Sequence, residues 1–273
     1  MNPLHLLKLE WSKFFPNGTF RVFMALYAVS FAAIVFLART MGKNMTMETN
    51  SGAMTHPLAG AFDYPNNWLL VGWMGSWANA FMLGALGVFM ITMEFSNRTL
   101  RQSVIFGLTR LEVAASKLIW AAALALAATV FYLLLGFLGE LQDGKTMLPP
   151  PVESIAAFFL QALGFLLLGN LVGLLIRQTA LAVLAYLAYV LFLETILRWI
   201  LYYTVAKTRL LMFLPDQALG ALTPLQMPDA VKQIMNSNPA TIPLTGTEAI
   251  LTVLVYALLF SALFCRRIAK ADL

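Results

Sequence analysis

Apolar residues fall along this chain in long runs, not in alternation. Six runs are long enough to cross a bilayer, which takes roughly 20 apolar residues. They are Val22–Ala38, Trp68–Met93, Leu118–Gly139, Ser154–Ile176, a fifth that starts near Gln178 and meets Glu194 and Arg198 toward its far end, and Ala249–Cys265. Backbone groups in lipid must bond within their own segment, so each run is a helix unless the chain closes a barrel. Barrel strands would show a period of two, and these runs show none. The pattern therefore predicts an all-α polytopic membrane protein, residues 1–273 forming a single transmembrane domain with six helices.

The first eighteen residues follow a different period. Leu4, Leu7, Trp11 and Phe14 recur on one side of a helix, while Lys8, Glu10, Ser12 and Lys13 lie mostly away from it. That predicts an amphipathic helix over 1–18 lying in the membrane surface, with lipid as its partner. The break at Pro16-Asn17-Gly18 separates it from the first crossing. Glu10 and the roughly twenty residues ahead of the first apolar run argue against a cleaved signal peptide.

Composition agrees. The chain is 60% hydrophobic and 11% charged, far from the balance of a soluble domain, so a soluble core could not hide its apolar surface. The net charge of +5 points to placement across a bilayer and not to nucleic acid, because the basic residues are scattered between apolar runs. With the N-terminus in the cytoplasm, eleven of the 18 Lys and Arg fall inside: Lys8, Lys13, Arg21, Arg98, Arg101, Arg110, Lys117, Arg177, Arg266, Arg267 and Lys270. That is the expected bias, and it places both termini in the cytoplasm of a bacterial inner membrane. A single cysteine, Cys265, excludes an internal disulfide. His5 and His56 are far apart, and no Cys/His cluster or catalytic set is visible, so we expect no metal, no cofactor and no covalent chemistry.

Gly139–Thr146, "GELQDGKT", matches the phosphate-loop pattern G-x-x-x-x-G-K-[ST]. Its flanks do not fit. A membrane helix precedes it instead of a strand, and Pro149-Pro150-Pro151 follows where a helix should supply N–H donors. The match is read as a coincidence, and the chain as no ATPase.

The informative segment is Met93–Leu118, "MEFSNRTLRQSVIFGLTRLEVAASKL", between the second and third crossings. Glu94 and Arg98 have the i, i+4 spacing of a helical pair. Gly107 is a natural helix stop. Thr109 and Glu112 form a T-x-x-E capping box that starts the next helix. The spacing predicts an amphipathic elbow over 93–117: a short helix ending at Gly107, a turn, and a helix from Thr109 running into the third crossing.

This stretch resembles the ABC-2 type permeases, membrane subunits of ATP-binding-cassette exporters. The matching residues are Glu94, Thr99-Leu100-Arg101, Gly107-Leu108-Thr109-Arg110, Glu112 and Lys117. The resemblance implies that the elbow is the coupling helix docking on a separate cassette ATPase subunit. Glu94, Arg98, Arg101, Gly107, Thr109, Arg110 and Glu112 would carry that coupling. It also implies pairing with a second copy or a homologous permease.

Leu201–Gly246 is too polar and too rich in proline to cross fully, and reads as a structured outer segment; in the family the matching region dips back and caps the path. Glu194 and Arg198 are read either as lining a path or an interface, or as a structural i, i+4 pair, with the structural pair favoured. Gly169 and Gly173 make a G-x-x-x-G that permits close helix contact. Trp68, Trp73 and Trp77 mark an interface belt. The expected function is the permease subunit of an ATP-driven exporter. The alternatives are an ion-coupled secondary transporter, which would want ionisable groups at the midplane, and a non-transporting membrane scaffold.

Overall fold

The computed structural model describes residues 3–44, 47–48, 54–55, 64–142, 148–204, 209–225 and 244–270. Six of its helices are long and apolar enough to cross a membrane, which makes this a multi-pass membrane protein. Their bounds follow the apolar runs. A short first helix, α1 (Pro3–Phe14), precedes α2 (Gly18–Asn44). The second span is α3 (Asn66–Ala78) and α4 (Gly84–Ser96), joined by a π-helical turn, Asn79–Leu83. After the short α5 (Thr99–Ile105) come α6 (Arg110–Gln142) and α7 (Val152–Ile176). The fifth span is α8 (Thr179–Ala188) and α9 (Glu194–Thr204), with a second π-turn, Tyr189–Leu193. A 3₁₀ turn at Arg209–Phe213 and the short α10 (Pro215–Ala221) lead toward the last span, α11 (Gly246–Lys270). A two-residue antiparallel ladder, Met47–Glu48 against Met54–Thr55, is the one feature described here outside the all-α plan.

The break after α1 works as predicted. The Asn17 side chain accepts from the Thr19 and Phe20 N–H groups at 2.9 and 3.2 Å, capping α2.

The second and fourth spans form the middle of the bundle. Of their most apolar windows, 72% and 61% of positions are buried, against 22% for the first, fifth and sixth spans. Those three therefore turn large apolar faces outward, as lipid-facing helices do. α7 packs against α4, α6 and α11. Gly169 and Gly173 make its contact with α4 close: a Cβ on Gly169 would lie 2.1 Å from the Gly84 carbonyl oxygen, and one on Gly173 2.8 Å from that of Val88. The G-x-x-x-G thus serves a crossing inside the chain.

Irregular backbone in a membrane helix needs other partners for its freed polar groups. The Tyr186 hydroxyl of α8 donates to the Ala80 carbonyl in the first π-turn at 2.7 Å. Gly84 admits that ring, since a Cβ there would lie 1.7 Å from the hydroxyl oxygen. A polar chain crosses the interior beside it. The Tyr27 hydroxyl donates to Asn79 Oδ1 (3.0 Å), Asn79 Nδ2 to Gln161 Oε1 (3.3 Å), and Gln161 Nε2 to the Leu219 carbonyl (2.8 Å) and Thr223 Oγ1 (2.9 Å).

Three readings change in three dimensions. Trp68 is no belt residue: it is fully buried, edge-on to Tyr132 and Phe137. Trp77 stays half exposed, with Trp73 packed edge-on beside it. Gly139 to Gln142 are the last turn of α6, so the first half of the phosphate-loop pattern is helix, with Gly139 pressed against the Arg39 guanidinium. Residues 143–146 of that pattern lie outside the described residues. Glu194 and Arg198 do not pair with each other but both hold α10, as described below.

Candidate functional site

The elbow is built from two opposed helix caps. α5 ends in a Schellman motif: the Gly107 N–H donates to the Val104 carbonyl at 3.0 Å and the Leu108 N–H to the Ser103 carbonyl at 3.2 Å. Gly107 has φ +96°, a left-handed conformation that glycine adopts without a Cβ clash. α6 begins with the capping box. The Thr109 N–H and hydroxyl both donate to Glu112 Oε2 at 2.9 Å, and the Glu112 N–H donates to Thr109 Oγ1 at 3.3 Å. Two caps within six residues fix the angle of the turn. At about 1.5 Å per residue, the 33-residue α6 is about 50 Å long, more than a bilayer core is thick.

The predicted Glu94–Arg98 pair does not form. Arg98 takes a left-handed conformation (φ 56°) that ends α4, so the two residues no longer share a helix face. Glu94 turns inward instead and pairs with Lys117, as does Glu10 of α1 at 2.6 Å. Lys13 stands 3.6 Å from each carboxylate. Lys117, Glu10 and Glu94 are each 3% exposed or less. Ser116 donates to Glu10 Oε1 at 3.0 Å, Lys13 Nζ to Ser103 Oγ at 3.2 Å, and the Phe14 ring lies 5.4 Å from the Lys117 ammonium. The cluster joins α1, the end of α4, α5 and the start of α6.

This corrects the reading of α1. Glu10 is on its protein face with Leu6 and Phe14, while Leu4, Trp11 and Phe15 are exposed. The helix thus has an outward apolar row and an inward face built around one carboxylate. The sequence did hold a signal for this. Glu10 is the lone acid in an otherwise apolar and basic helix, and Lys117 is a lone cation entering an apolar run. Each needs an opposite charge if buried.

The tip of the elbow is uncovered: Ile105, Phe106 and Leu111 are 74%, 84% and 63% exposed. Arg98 and Arg101 are exposed beside it. Arg110 is exposed too, and its Nη1 donates to the Ala269 carbonyl at 2.8 Å, tying the start of α6 to the last turn of α11. Arg177, in the left-handed turn after α7, lies 4.9 Å from the Phe95 ring. Most of the predicted cytoplasmic basic residues are therefore gathered at this elbow end. Between α1 and α5 runs a groove of about 440 Å³ bordered by His5, Leu9, Gln102 and Phe106.

Among the described residues, no group of three or more His, Cys, Asp or Glu side chains could hold a metal ion. No protein-family model matches the chain, and no curated protein matches it.

Proposed function

We propose that the chain is the membrane subunit of an ATP-driven exporter of the ABC-2 permease type, with ATP bound and hydrolysed by a separate cassette ATPase. The observation that carries this reading is the elbow. It carries the residues of the resemblance at Glu94, Thr99-Leu100-Arg101, Gly107-Leu108-Thr109-Arg110, Glu112 and Lys117, its angle is set by caps at both sides, and its tip presents three uncovered apolar side chains beside arginines. Such a tip suits a protein partner more than water. A buried ion cluster makes the base of the elbow stiff, so a push at the tip is delivered to α6 and α1. The gathering of basic residues at the elbow end supports an orientation with that end in the cytoplasm, where ATP is. The outward apolar faces of the first, fifth and sixth spans leave room for lipid and for a second permease copy.

Against the ion-coupled alternative, the interior chain at the first π-turn is made of Tyr, Asn, Gln and Thr; in its favour, a buried carboxylate, Glu194, directly follows the second π-turn.

The test is co-purification of the tagged chain with its cassette ATPase from native membranes, followed by ATP turnover and transport in vesicles. Phe106→Asp and Arg101→Glu are expected to reduce ATPase recovery about tenfold or more, as loss of a central interface residue does. Gly107→Val is expected to distort the turn and to separate ATP turnover from transport. Wild-type assembly and transport by all three variants would remove the elbow from the coupling path.

A further inference from the structure

The short helix α10 begins without a local cap. Pro215 takes its first turn, and Leu214, at the capping position, offers no side-chain acceptor. The missing acceptor comes from another helix. Glu194, 1% exposed on α9, accepts from the Asp216 N–H at 3.0 Å (Oε2) and the Gln217 N–H at 2.9 Å (Oε1). The Tyr189 hydroxyl donates to the same carboxylate. One turn along α9, Arg198 Nη1 donates to Gln217 Oε1 at 3.2 Å and lies 3.9 Å from the Met212 sulfur. The far side of α10 is held separately by Gln161 on the Leu219 carbonyl, and the 3₁₀ turn before it by the Tyr256 hydroxyl on the Phe213 carbonyl (2.8 Å). Ala218 and Leu219 are the buried face of α10.

The capping bond has a consequence for Asp216. The N–H that Glu194 accepts belongs to a residue that carries a carboxyl of its own, so the bond brings a second acidic residue next to the first. Two neighbouring carboxyls, one buried and one half-buried, do not both ionise freely.

We infer that α10 is a plug latched to the fifth span by Glu194, and that a proton on Asp216 sets how firmly the latch holds. With Asp216 neutral, Glu194 caps α10 unopposed. With Asp216 charged, a second negative charge stands next to Glu194 at the start of α10, and lifting α10 relieves it. Burial first, then the Glu194 charge, push the Asp216 carboxyl up from its ordinary 3.8 to about 7, against the opposing pull of Arg198. The other titratable groups facing the site are Tyr186, Tyr189 and Tyr256, with the Arg209–Glu248 pair (2.6 Å) beyond the 3₁₀ turn.

The sign follows from linkage. A carboxyl whose value is raised in the docked state binds its proton more tightly there, so docking is strongest in acid. That advantage is lost as the pH rises from about 4 through about 7, and above that docking no longer changes. The inference needs only α7 to α11, and so stands or falls apart from the ATPase reading.

The experiment uses the full chain in phosphatidylcholine nanodiscs. Hydrogen exchange of residues 209–222, corrected for its intrinsic pH dependence, reports opening of the plug without any substitution. Opening is expected to rise more than about tenfold between pH 5 and pH 7 and then to level off. In a Cys265→Ser background, Ala218→Cys should become reactive to a thiol reagent over the same range, relative to the exposed reference Gly220→Cys. Asp216→Asn should hold the plug closed at every pH, and Glu194→Gln should open it at every pH. Exchange in the wild type that is flat with pH, a slope that survives in Asp216→Asn, or a Glu194→Gln chain as protected as the wild type would each overturn the inference.

Discussion

Lys117 shows how much one buried charge can organise. Its ammonium has lost its water and is held by Glu10 and Glu94, from helices remote in sequence. Replacing it by methionine keeps the volume but leaves two buried carboxylates with only the more distant, partly exposed Lys13 to offset them. Removing one partner of a buried pair costs about 3–5 kcal/mol. We predict that Lys117→Met lowers the thermal midpoint of the detergent-solubilised chain by more than any single substitution at the exposed Arg101. Adding Glu10→Gln to Lys117→Met should recover part of the loss, because it removes one of the stranded charges. If Lys117→Met melts with the wild type, the cluster does not brace the elbow.

Between helices, the geometry is set by what is missing. Gly84 and Gly169 let α4 and α7 meet backbone to backbone, and an added Cβ at 169 would meet a carbonyl oxygen that belongs to a helix and cannot swing aside. Overpacking of this kind costs about 1–3 kcal/mol. Gly169→Ala is therefore expected to destabilise the chain by about that amount, measured by thermal unfolding in detergent. Gly220→Ala, where nothing lies within 4 Å of the new Cβ, should be close to neutral. Equal effects of the two would show that the α4–α7 crossing is not tight. The same crossing anchors the first π-turn, so Gly169→Ala should also loosen the bond between Tyr186 and the Ala80 carbonyl.

For the molecule as a whole, the distribution of charge between its two ends decides how it sits in a membrane. α1, the elbow, the turn at Arg177 and the end of α11 share one end, linked by Lys13 to Ser103, Arg110 to the Ala269 carbonyl and Arg177 to the Phe95 ring. Leu148, just ahead of α7, belongs to the opposite end. The positive-inside bias predicts the elbow end in the cytoplasm. In intact cells carrying Cys265→Ser, an impermeant thiol reagent should label Leu148→Cys and spare Arg177→Cys. The reverse pattern would turn the molecule over, put the elbow out of reach of ATP, and remove the basis for an ATPase partner.

What the chain's one-dimensional pattern determined was whatever depends on neighbours along the helix. The six spans, the stop at Gly107 and the capping box at Thr109 and Glu112 were all legible, because apolar run length and caps act within a few residues. The pattern also marked the right residues with the wrong partners. Glu94 and Arg98 have helical spacing, but the left-handed Arg98 ends the helix before the spacing can be used, and Glu94 turns to Lys117. Glu194 and Arg198 do share a helix, yet each is taken by α10, whose uncapped start offers N–H donors to Glu194 and the Gln217 side-chain oxygen to Arg198. Trp68 reads as a belt residue until Gly136 opens a slot for its ring in the core. A buried charge takes the partner that geometry brings to it, and that partner is chosen by how helices far apart in sequence are packed. Only the tertiary structure could decide that Glu10, Glu94 and Lys117 form one joint, and that the carboxylate capping α10 belongs to another helix.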